Sequence, residues 1–579
     1  MLEKTETRNG LVVDWNVVIP ARDGLELRAD VYRPVEEGVY PVILSYGPYA
    51  KGLPFQVGYP DAWGNLVKDN PEVQEGSSCD FANWETVDPE KWVPKGYVCV
   101  RVDSRGAGMT PGKIDYMSRH EQEDFYDCIE WAGVQPWSNG KVGLAGISYF
   151  AANQWLVAGM RPPHLAAICP FEGWSDYYRE TCRNGGIMGT WMTYWAPPQI
   201  HAVQYGRGSR AEKNPNTGES VAGDVDLDED VLAANRIDIR QAILEHPLDD
   251  AYYAERRPDL ANIEVPLLSC GNWGGQGLHL RGNTEGYLAA GSRQKWLELH
   301  GYRHWTEFYT AYGTDLQMQF FDHFLKGIDN GWAERPPVLL KVRHIDGFVE
   351  RSETEWPIAR TDWMRFYLDA EKMSLSTEKP GASATLSFAA LDETLTFRSA
   401  PLEQQTEITG PLAARLAVSS STEDADIFVS FRVFAPDGSE LLFPGANDPR
   451  APMTLGWLRA SHRKLDPEKS LPYRPYHSHD EEQLLTPGEV YGLDVELWPT
   501  SIVVPAGYTL AVTIGGTDYD HGLETTTSIL GLRDSGVAPM VHDDPTDRAV
   551  DRFGGTTTLH WETGEANSIL LPVIPTRAS

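Results

Sequence analysis

One serine of this chain stands where a strand gives way to a helix. Residues 141–151 read KVGLAGISYFA, in which a β-rich run ends at Gly146 and a helical pattern begins just after Ser148. A serine in such a turn is held at the top of a sheet, where its hydroxyl can attack a carbonyl carbon. The backbone N–H of Tyr149, at the helix N-terminus, would face the resulting oxyanion. The segment departs from GxSxG at Phe150, so an ordinary turn of small residues remains the alternative.

A serine hydroxyl needs a base, because it is a weak nucleophile at neutral pH. Of the 15 histidines, His304 stands out, since it follows the β-rich run 295–300 after three residues and comes after Ser148 in the chain. That is the chain order of nucleophile and histidine in α/β-hydrolases. His300 lies inside the run and is interpreted as structural. His323 lies on an amphipathic helix and is interpreted as a surface residue.

The elements that would position these residues alternate between strand and helix up to about residue 335. Helical patterns begin near residues 121, 149 and 316, between apolar β-rich runs. Such alternation predicts a mainly parallel sheet with helices on both faces. The runs predicted as strands are 11–18, 25–32, 41–46, 97–103, 141–145, 165–171, 266–270 and 295–300.

Two segments interrupt this alternation of strands and helices, and the last third of the chain has a different secondary-structure pattern. Residues 54–92 are predicted to lie over one sheet edge, and residues 177–260 to form a helical cap over the carboxyl end of the sheet. From about residue 337 onward, short strands recur between turns without a convincing helix, which indicates a jelly-roll β-sandwich. The fold predicted is therefore an α/β-hydrolase core at 1–176 and 261–335, a cap at 177–260 and a jelly-roll domain at 336–579.

Composition excludes several classes of function. The 50 lysines and arginines against 83 acidic residues give a net charge of −33, which argues against nucleic acid and anionic membranes as partners. No apolar run reaches the ~20 residues that span a bilayer, and the first residues lack a signal pattern. The six cysteines form no CxxC pair, and no HExxH motif occurs. We expect a cytoplasmic protein with no metal or cofactor, and a homo-oligomer stays open.

Several segments together resemble a known family. They are DSRGAG at 103–108, EWAGVQPWSNGKVG at 130–143, the Ser148-Tyr149 pair, FDHFLKG at 321–327, LTPGEV at 485–490 and VPAG at 504–507. In these the chain resembles the CocE/NonD-type serine hydrolases, a family that joins cocaine esterase, α-amino-acid ester hydrolases and X-Pro dipeptidyl-peptidases. The resemblance runs along nearly the whole chain.

The resemblance implies roles for four residues. Ser148 matches the family nucleophile and His304 its base. Tyr49, in SYGPYAK at 45–51, matches the tyrosine whose hydroxyl completes the oxyanion hole, to which Tyr149 contributes its backbone N–H. The alternative for Tyr49 is a buried aromatic residue with a satisfied hydroxyl.

The acid of the triad is where this chain departs from the family. Family members carry an aspartate just after the strand predicted at 266–270, but this chain has GNWGGQG there, and Glu285 is too far along. Glu172, directly after the preceding strand, is the acid we predict, since α/β-hydrolases can seat it there. Asp176 as the acid, or Asn272 orienting the imidazole without charge, are the alternatives.

The resemblance implies an ester, an amide or a short peptide as substrate, with aromatic esters, amino-acid esters, β-lactam acyl groups and X-Pro peptides as the alternatives. Aromatic residues of the predicted cap suit an apolar acyl group, with cap packing as the alternative: Trp174, Trp191, Tyr194 and Trp195. An X-Pro dipeptidyl-peptidase is the alternative activity. A catalytically degenerate scaffold with a binding role is the rival from another class.

Overall fold

The first sheet has eleven strands and is built from the first 353 residues of the chain. The computed structural model describes residues 4–524, 532–537, 539–561 and 567–575. In chain order its strands are β1 Lys4–Arg8, β2 Leu11–Pro20, β3 Glu26–Pro34, β4 Tyr40–Gly47, β5 Val98–Asp103, β6 Ser138–Ile147, β7 Leu165–Phe171, β10 Leu267–Asn272, β11 Lys295–His300, β12 Val338–His344 and β13 Gly347–Glu353. Strands β8 Arg183–Asn184 and β9 Ile187–Met188 form a separate hairpin outside this sheet.

The spatial order of this sheet is β1-β2-β3-β5-β4-β6-β7-β10-β11-β12-β13. The strands from β5 to β12 run parallel, and the hairpins at both edges are antiparallel. The parallel strands are buried on both faces, and for this reason their sequences are continuous apolar runs instead of alternating ones. The α/β class predicted for this part of the chain is confirmed.

Helices cover both faces of the sheet and the loops beyond its carboxyl end. They are α1 Phe55–Gly58, α2 Pro60–Asp69, α3 Pro89–Trp92, α4 Arg119–Gly133, α5 Tyr149–Gly159, α6 Trp191–Trp195, α7 Glu229–Ala234, α8 Ile239–Glu245, α9 Ala251–Glu255, α10 Leu280–Ala289, α11 Thr306–Tyr309 and α12 Ala311–Lys326. Another short helix, α13 Val550–Phe553, lies in the C-terminal part of the chain and contacts Arg459. None of the helices in the described part of the chain combines the length and apolar character needed to cross a membrane.

Local sequence signals account for the ends of the long helices. The hydroxyl of Ser118 accepts from the backbone N–H of Glu121, while the Glu121 carboxylate accepts from the N–H of Met117, so both groups satisfy free donors at the start of α4. Helix α12 ends at Gly327, whose φ of 70° lies in the left-handed region that glycine adopts without strain.

The second sheet closes into a ring. Its strands are β14 Asp362–Asp369, β15 Ser374–Ser376, β16 Thr385–Ala389, β17 Thr394–Arg398, β18 Thr406–Ser420, β19 Asp426–Phe434, β20 Thr454–Arg459, β21 Tyr491–Val504, β22 Thr509–Gly515, β23 Thr556–His560 and β24 Ser568–Ile574. Nine of them follow the order β18-β21-β20-β19-β22-β17-β15-β14-β24, and β24 pairs again with β18. The β-rich C-terminal part is confirmed, but it is a closed nine-strand barrel and not the jelly-roll sandwich predicted.

The change from one sheet to the other lies between β13 and β14. Strands β12 and β13 were assigned to the β-domain beginning at residue 336, yet β12 pairs in parallel with β11 and extends the first sheet. The second sheet begins only at Asp362. A strand run alone does not reveal which sheet receives its hydrogen bonds.

Candidate active site

Ser148 lies in a strained turn between β6 and α5. Its backbone φ is 75° and ψ is −98°, a conformation that non-glycine residues rarely adopt. Phe150 occupies the place of the second glycine of GxSxG, and the facing residues make room for it. A Cβ atom added at Gly47 would lie 2.5 Å from the Phe150 ring, and one at Gly146 would overlap the Phe150 side chain. The departure at Phe150 is therefore compatible with the strand–turn–helix geometry.

A histidine is hydrogen-bonded to Ser148, but it is His279. Its Nε2 lies 3.0 Å from the Ser148 Oγ, and both side chains are buried. His279 stands between β10 and α10, and the indole of Trp174 stacks on its ring at 5.9 Å. The Nδ1 of His279 has no hydrogen-bond partner among the described residues. Ser148 thus has an imidazole as neighbour, but in the described part of the chain no carboxylate is hydrogen-bonded to the other nitrogen of that imidazole.

His304 lies between two carboxylates. Its Nδ1 is 2.9 Å from Oε2 of Glu172, and its Nε2 is 2.9 Å from Oε1 of Glu85. The ring of His304 is parallel to that of His279, with the centroids 4.7 Å apart and an interplanar angle of 5°. One imidazole of the stack therefore contacts the serine, and the other contacts the acids.

Burial and nearby charges shift the pKa values of the two imidazoles in opposite directions. Burial opposes the charge on His304, but Glu172 and Glu85 outweigh it and raise the pKa of His304 to about 9. Burial and the nearby charge of His304 hold the pKa of His279 well below its usual range. Burial raises the pKa of Glu85 to about 7, whereas the two histidines that donate to Glu172 keep the pKa of that carboxyl low. At neutral pH His279 is neutral and His304 is charged.

Backbone strain concentrates around this cluster. Glu85, Ser148, Glu172 and Tyr302 all have positive φ, at 60°, 75°, 49° and 73° respectively. Each follows a strand tip or lies in a loop at the carboxyl end of the sheet. Such conformations cost about 1–3 kcal/mol each and persist where the surrounding structure holds them, which is common at active sites.

The two tyrosines expected to bind an oxyanion lie beside Ser148. Tyr149 is the first residue of α5, where a backbone N–H has no acceptor within its own helix. Its hydroxyl donates to Glu121 at 2.5 Å and accepts from the N–H of Met117, so the side chain is anchored away from the site. Tyr49 is buried and lines the same cavity as Ser148.

This cavity holds about 30 Å³ and is closed by three parts of the chain. The core supplies Ser148 and the histidines, the segment 177–260 supplies Trp191 and Trp195, and the β-domain supplies Asn447 and Pro539. The β-domain is fixed there by two backbone hydrogen bonds, from His304 N–H to Ala446 O at 2.8 Å and from Ala446 N–H to Gly274 O at 2.9 Å. The barrel is therefore part of the wall of the site.

Of the aromatic residues predicted to cover the site, two line the cavity. These are Trp191 and Trp195, whereas Trp174 stacks on His279 from outside the cavity. Tyr194 is 36% exposed and its hydroxyl points to Asp543 at 3.5 Å, so the prediction that it faces the acyl group does not agree with the structure.

The alternatives for the acid have other partners. Asp176 accepts from Arg179 at 2.8 Å in a buried ion pair, and Glu285 accepts from Arg474. Asn272 donates its Nδ2–H to Glu172 Oε1 at 3.3 Å, so it contacts the acid and not the imidazole of His304. Glu172 is thus the carboxylate that reaches His304 from this side.

Sequence reasoning missed His279 and Glu85. His279 lies beyond the carboxyl end of β10, and this position was a usable signal in the sequence. Glu85 lies in the segment 54–92, and nothing in its local sequence indicates that the loop returns to the site. Its backbone carbonyl accepts from the N–H of Ile147 at 3.1 Å, which fixes the loop beside the nucleophile turn.

Glu172, His279 and His304 could also be considered as metal ligands. Each places one ligand atom within 4.8 Å of the others. The lone pairs of an imidazole lie in the plane of its ring, and these two rings are parallel, so their lone pairs do not converge on one point as a tetrahedral ion requires. The arrangement favours proton transfer over metal binding.

The chain matches known families along most of its length. Residues 23–306 match the family model described as X-Pro dipeptidyl-peptidase (S15 family), and residues 330–549 match the X-Pro dipeptidyl-peptidase C-terminal non-catalytic domain. The chain is 25% identical to the cocaine esterase of Rhodococcus sp., over 87% of this chain and 90% of that protein. It is 23% identical to a putative serine esterase of Mycobacterium bovis, over the same shares.

Solved structures resemble the chain over almost its full length. A CocE/NonD family hydrolase from Staphylococcus aureus is 30% identical and superposes with a TM-score of 0.83, covering 97% of this chain and 94% of that one. An α-amino acid ester hydrolase shares the fold, with a TM-score of 0.67 and 18% identity, covering 98% of this chain and 97% of the other.

Proposed function

This chain belongs to the CocE/NonD family of hydrolases, and we propose that it cleaves an ester or amide bond through a covalent acyl-enzyme formed on Ser148. The observation that carries the proposal is the strained turn that presents the Ser148 hydroxyl to a buried imidazole 3.0 Å away, at the carboxyl end of the sheet. The backbone at Ser148 is the conformation of a nucleophile elbow.

The proton of the serine is taken up by the neutral form of His304, which Glu172 orients through Nδ1 at 2.9 Å. A carboxylate in that position fixes the tautomer of the base and stabilises the imidazolium that forms. In the free enzyme, Nε2 of His304 is held by Glu85 and the serine is held by His279. His304 must therefore exchange Glu85 for the Ser148 hydroxyl, an adjustment of the kind that substrate binding often brings about in hydrolases.

The oxyanion of the tetrahedral intermediate is stabilised by the Tyr49 hydroxyl and the Tyr149 N–H. Both groups are buried, and hydrogen bonds to a developing negative charge are stronger in a water-excluded site. The Tyr149 N–H is the first free donor of α5, so the positive end of the helix dipole adds to its effect. His304 then donates its proton to the leaving group. Water attacks the acyl carbon and gives a proton to His304, which returns a proton to the Ser148 oxygen as the acid product leaves.

Apolar walls from Trp84, Trp191 and Trp195 suit an apolar or aromatic acyl group. The cavity of about 30 Å³ lies beside Ser148, so these walls would contact the acyl part of a bound substrate.

A dipeptidyl-peptidase activity is the second candidate, and one observation favours it. The Oε2 of Glu85 is buried beside the cavity and has no hydrogen-bond partner among the described residues. An unpaired buried carboxylate oxygen is a favourable acceptor for the ammonium group of a peptide N-terminus. A panel of p-nitrophenyl esters, amino-acid esters and X-Pro anilides distinguishes the two activities.

A fluorophosphonate probe tests whether the site is catalytic at all. We expect the wild-type protein to be labelled at Ser148, as located by mass spectrometry, and Ser148→Ala to lose labelling and to lose hydrolysis by about 10⁴–10⁶ in kcat. Ser439→Ala, on an exposed turn of the β-domain, is the matched control and keeps both. If the Ser148→Ala variant retains more than a few per cent of activity, the nucleophile lies elsewhere. An unlabelled wild-type protein would favour the degenerate scaffold.

A further inference from the structure

A chain of five buried side chains crosses the carboxyl end of the sheet. His300 Nδ1 lies 2.7 Å from Glu298 Oε2, and His300 Nε2 lies 3.1 Å from Glu172 Oε1. Beyond Glu172 the chain continues through His304 to Glu85, with both contacts at 2.9 Å. Three carboxylates therefore alternate with two imidazoles, and each neighbouring pair is within hydrogen-bond distance.

We propose that His300 is a positioning residue for hydrolysis. In its imidazolium form, His300 holds the second oxygen of Glu172 by a hydrogen bond. The positive charge of His300 also limits how strongly Glu172 stabilises the protonated form of His304. The inference rests on the proposed roles of Glu172 and His304. It assigns a task to a histidine that its place inside a strand had marked as structural.

The hydrogen bonds of His300 require it to be charged. Both ring nitrogens face ionisable carboxylate oxygens, and an ionised carboxylate accepts hydrogen bonds only, so both nitrogens must carry a proton. Burial opposes that charge, but Glu298 and Glu172 outweigh it and raise the pKa of His300 to about 10. The neutral form of His300 would place a ring nitrogen without a proton against one of the two carboxylate oxygens.

The same contacts fix the direction of Glu172. Its Oε1 accepts from His300 and from Asn272, at 3.1 and 3.3 Å, while its Oε2 faces His304. The carboxyl group cannot rotate without breaking one of these bonds, and the residue is completely buried. His300 thereby keeps one oxygen of Glu172 directed at the base.

Charged groups from several elements surround His300. Glu298 lies on the same strand, β11, and its other oxygen is 3.5 Å from the Tyr312 hydroxyl of α12. Glu307 of α11 is paired with Lys341 of β12, which makes that pair neutral overall. The titratable groups facing His300 or its direct partners are Glu172, Cys270, Glu298, His304, Glu307, Tyr312 and Lys341. The unbalanced negative charges next to His300 are those of Glu298 and Glu172.

The sign of the effect on His304 follows from this arrangement. The positive charge of His300 lies on the far side of Glu172 and partly offsets the negative charge that stabilises protonated His304. Removing the His300 charge while Glu172 stays ionised makes the surroundings of His304 more negative. The pKa of His304 then rises, and a higher pH is needed to obtain the neutral base.

The test is the pH dependence of kcat/KM for His300→Gln, because glutamine keeps a donor for Glu172 but carries no charge. We expect the acidic limb of the profile to move up by about one pH unit, with the high-pH plateau within about threefold of wild type. His164→Gln is the matched control, since His164 pairs with Glu130 at 2.8 Å before β7, at the amino end of the sheet. We expect the acidic limb of the His164→Gln profile to lie at the same pH as in the wild type.

A second variant keeps the inference testable if His300→Gln does not fold. His300→Lys retains the charge, and we expect its acidic limb within about 0.3 pH units of wild type. An unmoved or lowered limb in His300→Gln, or a raised limb in His300→Lys, overturns the inference. If instead Ser148→Ala retains hydrolysis, the proposed function itself fails, so the two failures are distinguishable.

Discussion

The carboxylate of Glu172 lies 2.9 Å from Nδ1 of His304, although the strands that carry these two residues are not neighbours. Glu172 follows β7 and His304 follows β11, and β10 runs between them. The left-handed backbone at Glu172, with φ of 49°, turns its side chain across the tip of β10. Asn272, the last residue of β10, donates to Glu172 at 3.3 Å. Strand β10 is not followed by an acid of its own, but through Asn272 it supports the carboxylate that follows β7.

Glu172→Gln tests whether this contact orients the base. We expect kcat to fall by ~10²–10⁴ with little change in KM, because the amide keeps the shape but does not stabilise the imidazolium. Ser148 should still react slowly with an activated phosphonate. The measurement is steady-state kinetics with a p-nitrophenyl ester, together with thermal unfolding. A variant that loses stability but retains most of its turnover would show that Glu172 is only structural.

Tyr49→Phe tests the oxyanion hole. We expect kcat to fall by ~10²–10³ at nearly constant KM, since the hydroxyl bonds more strongly to the transition state than to the substrate. Tyr309→Phe is the matched control, because the Tyr309 hydroxyl is also buried but donates to the backbone carbonyl of Asn83. That variant should lose about 1 kcal/mol of stability and keep its kcat. A change confined to KM in Tyr49→Phe would mean that the ring only lines the pocket.

Glu85→Gln tests the electrostatics of the base from the other side. Glu85 lies 2.9 Å from Nε2 of His304, and its negative charge helps to raise the pKa of that imidazole to about 9. Removing the charge lowers the pKa of His304, so the acidic limb of kcat/KM moves to lower pH, by about one unit. Profiles between pH 5 and 10 measure the shift. A limb that stays in place or rises contradicts the assignment of that limb to His304.

A pair of variants distinguishes the roles of the two stacked histidines, His304 and His279. His304→Gln should lose activity nearly as completely as Ser148→Ala, whereas His279→Gln should lose only about 10–10² in kcat, because we assign to His279 the task of holding the Ser148 hydroxyl before substrate binds. Single-turnover kinetics with an activated ester measure both. The reverse order of the two losses would make His279 the base.

Much of this protein can be predicted from its sequence. The β-rich run before Ser148, the helix after it and the family segments place Ser148 at the end of a parallel strand, and β6 and α5 have the expected order. The histidine after β11 and the glutamate after β7 follow from the rule that the carboxyl ends of parallel strands share one edge. These predictions rest on local periodicity, chain order and the resemblance of the family segments.

Tertiary structure decided what chain order cannot express. His279 contacts Ser148 and Glu85 contacts His304 because a loop after β10 and a loop from residues 54–92 converge at the site. Likewise, β12 and β13 join the first sheet, and the C-terminal strands close into a ring through the pairing of β18 with β24. Strand partners and loop contacts between residues far apart in the chain depend on packing and hydrogen bonding in three dimensions, and the local pattern of a sequence does not encode them.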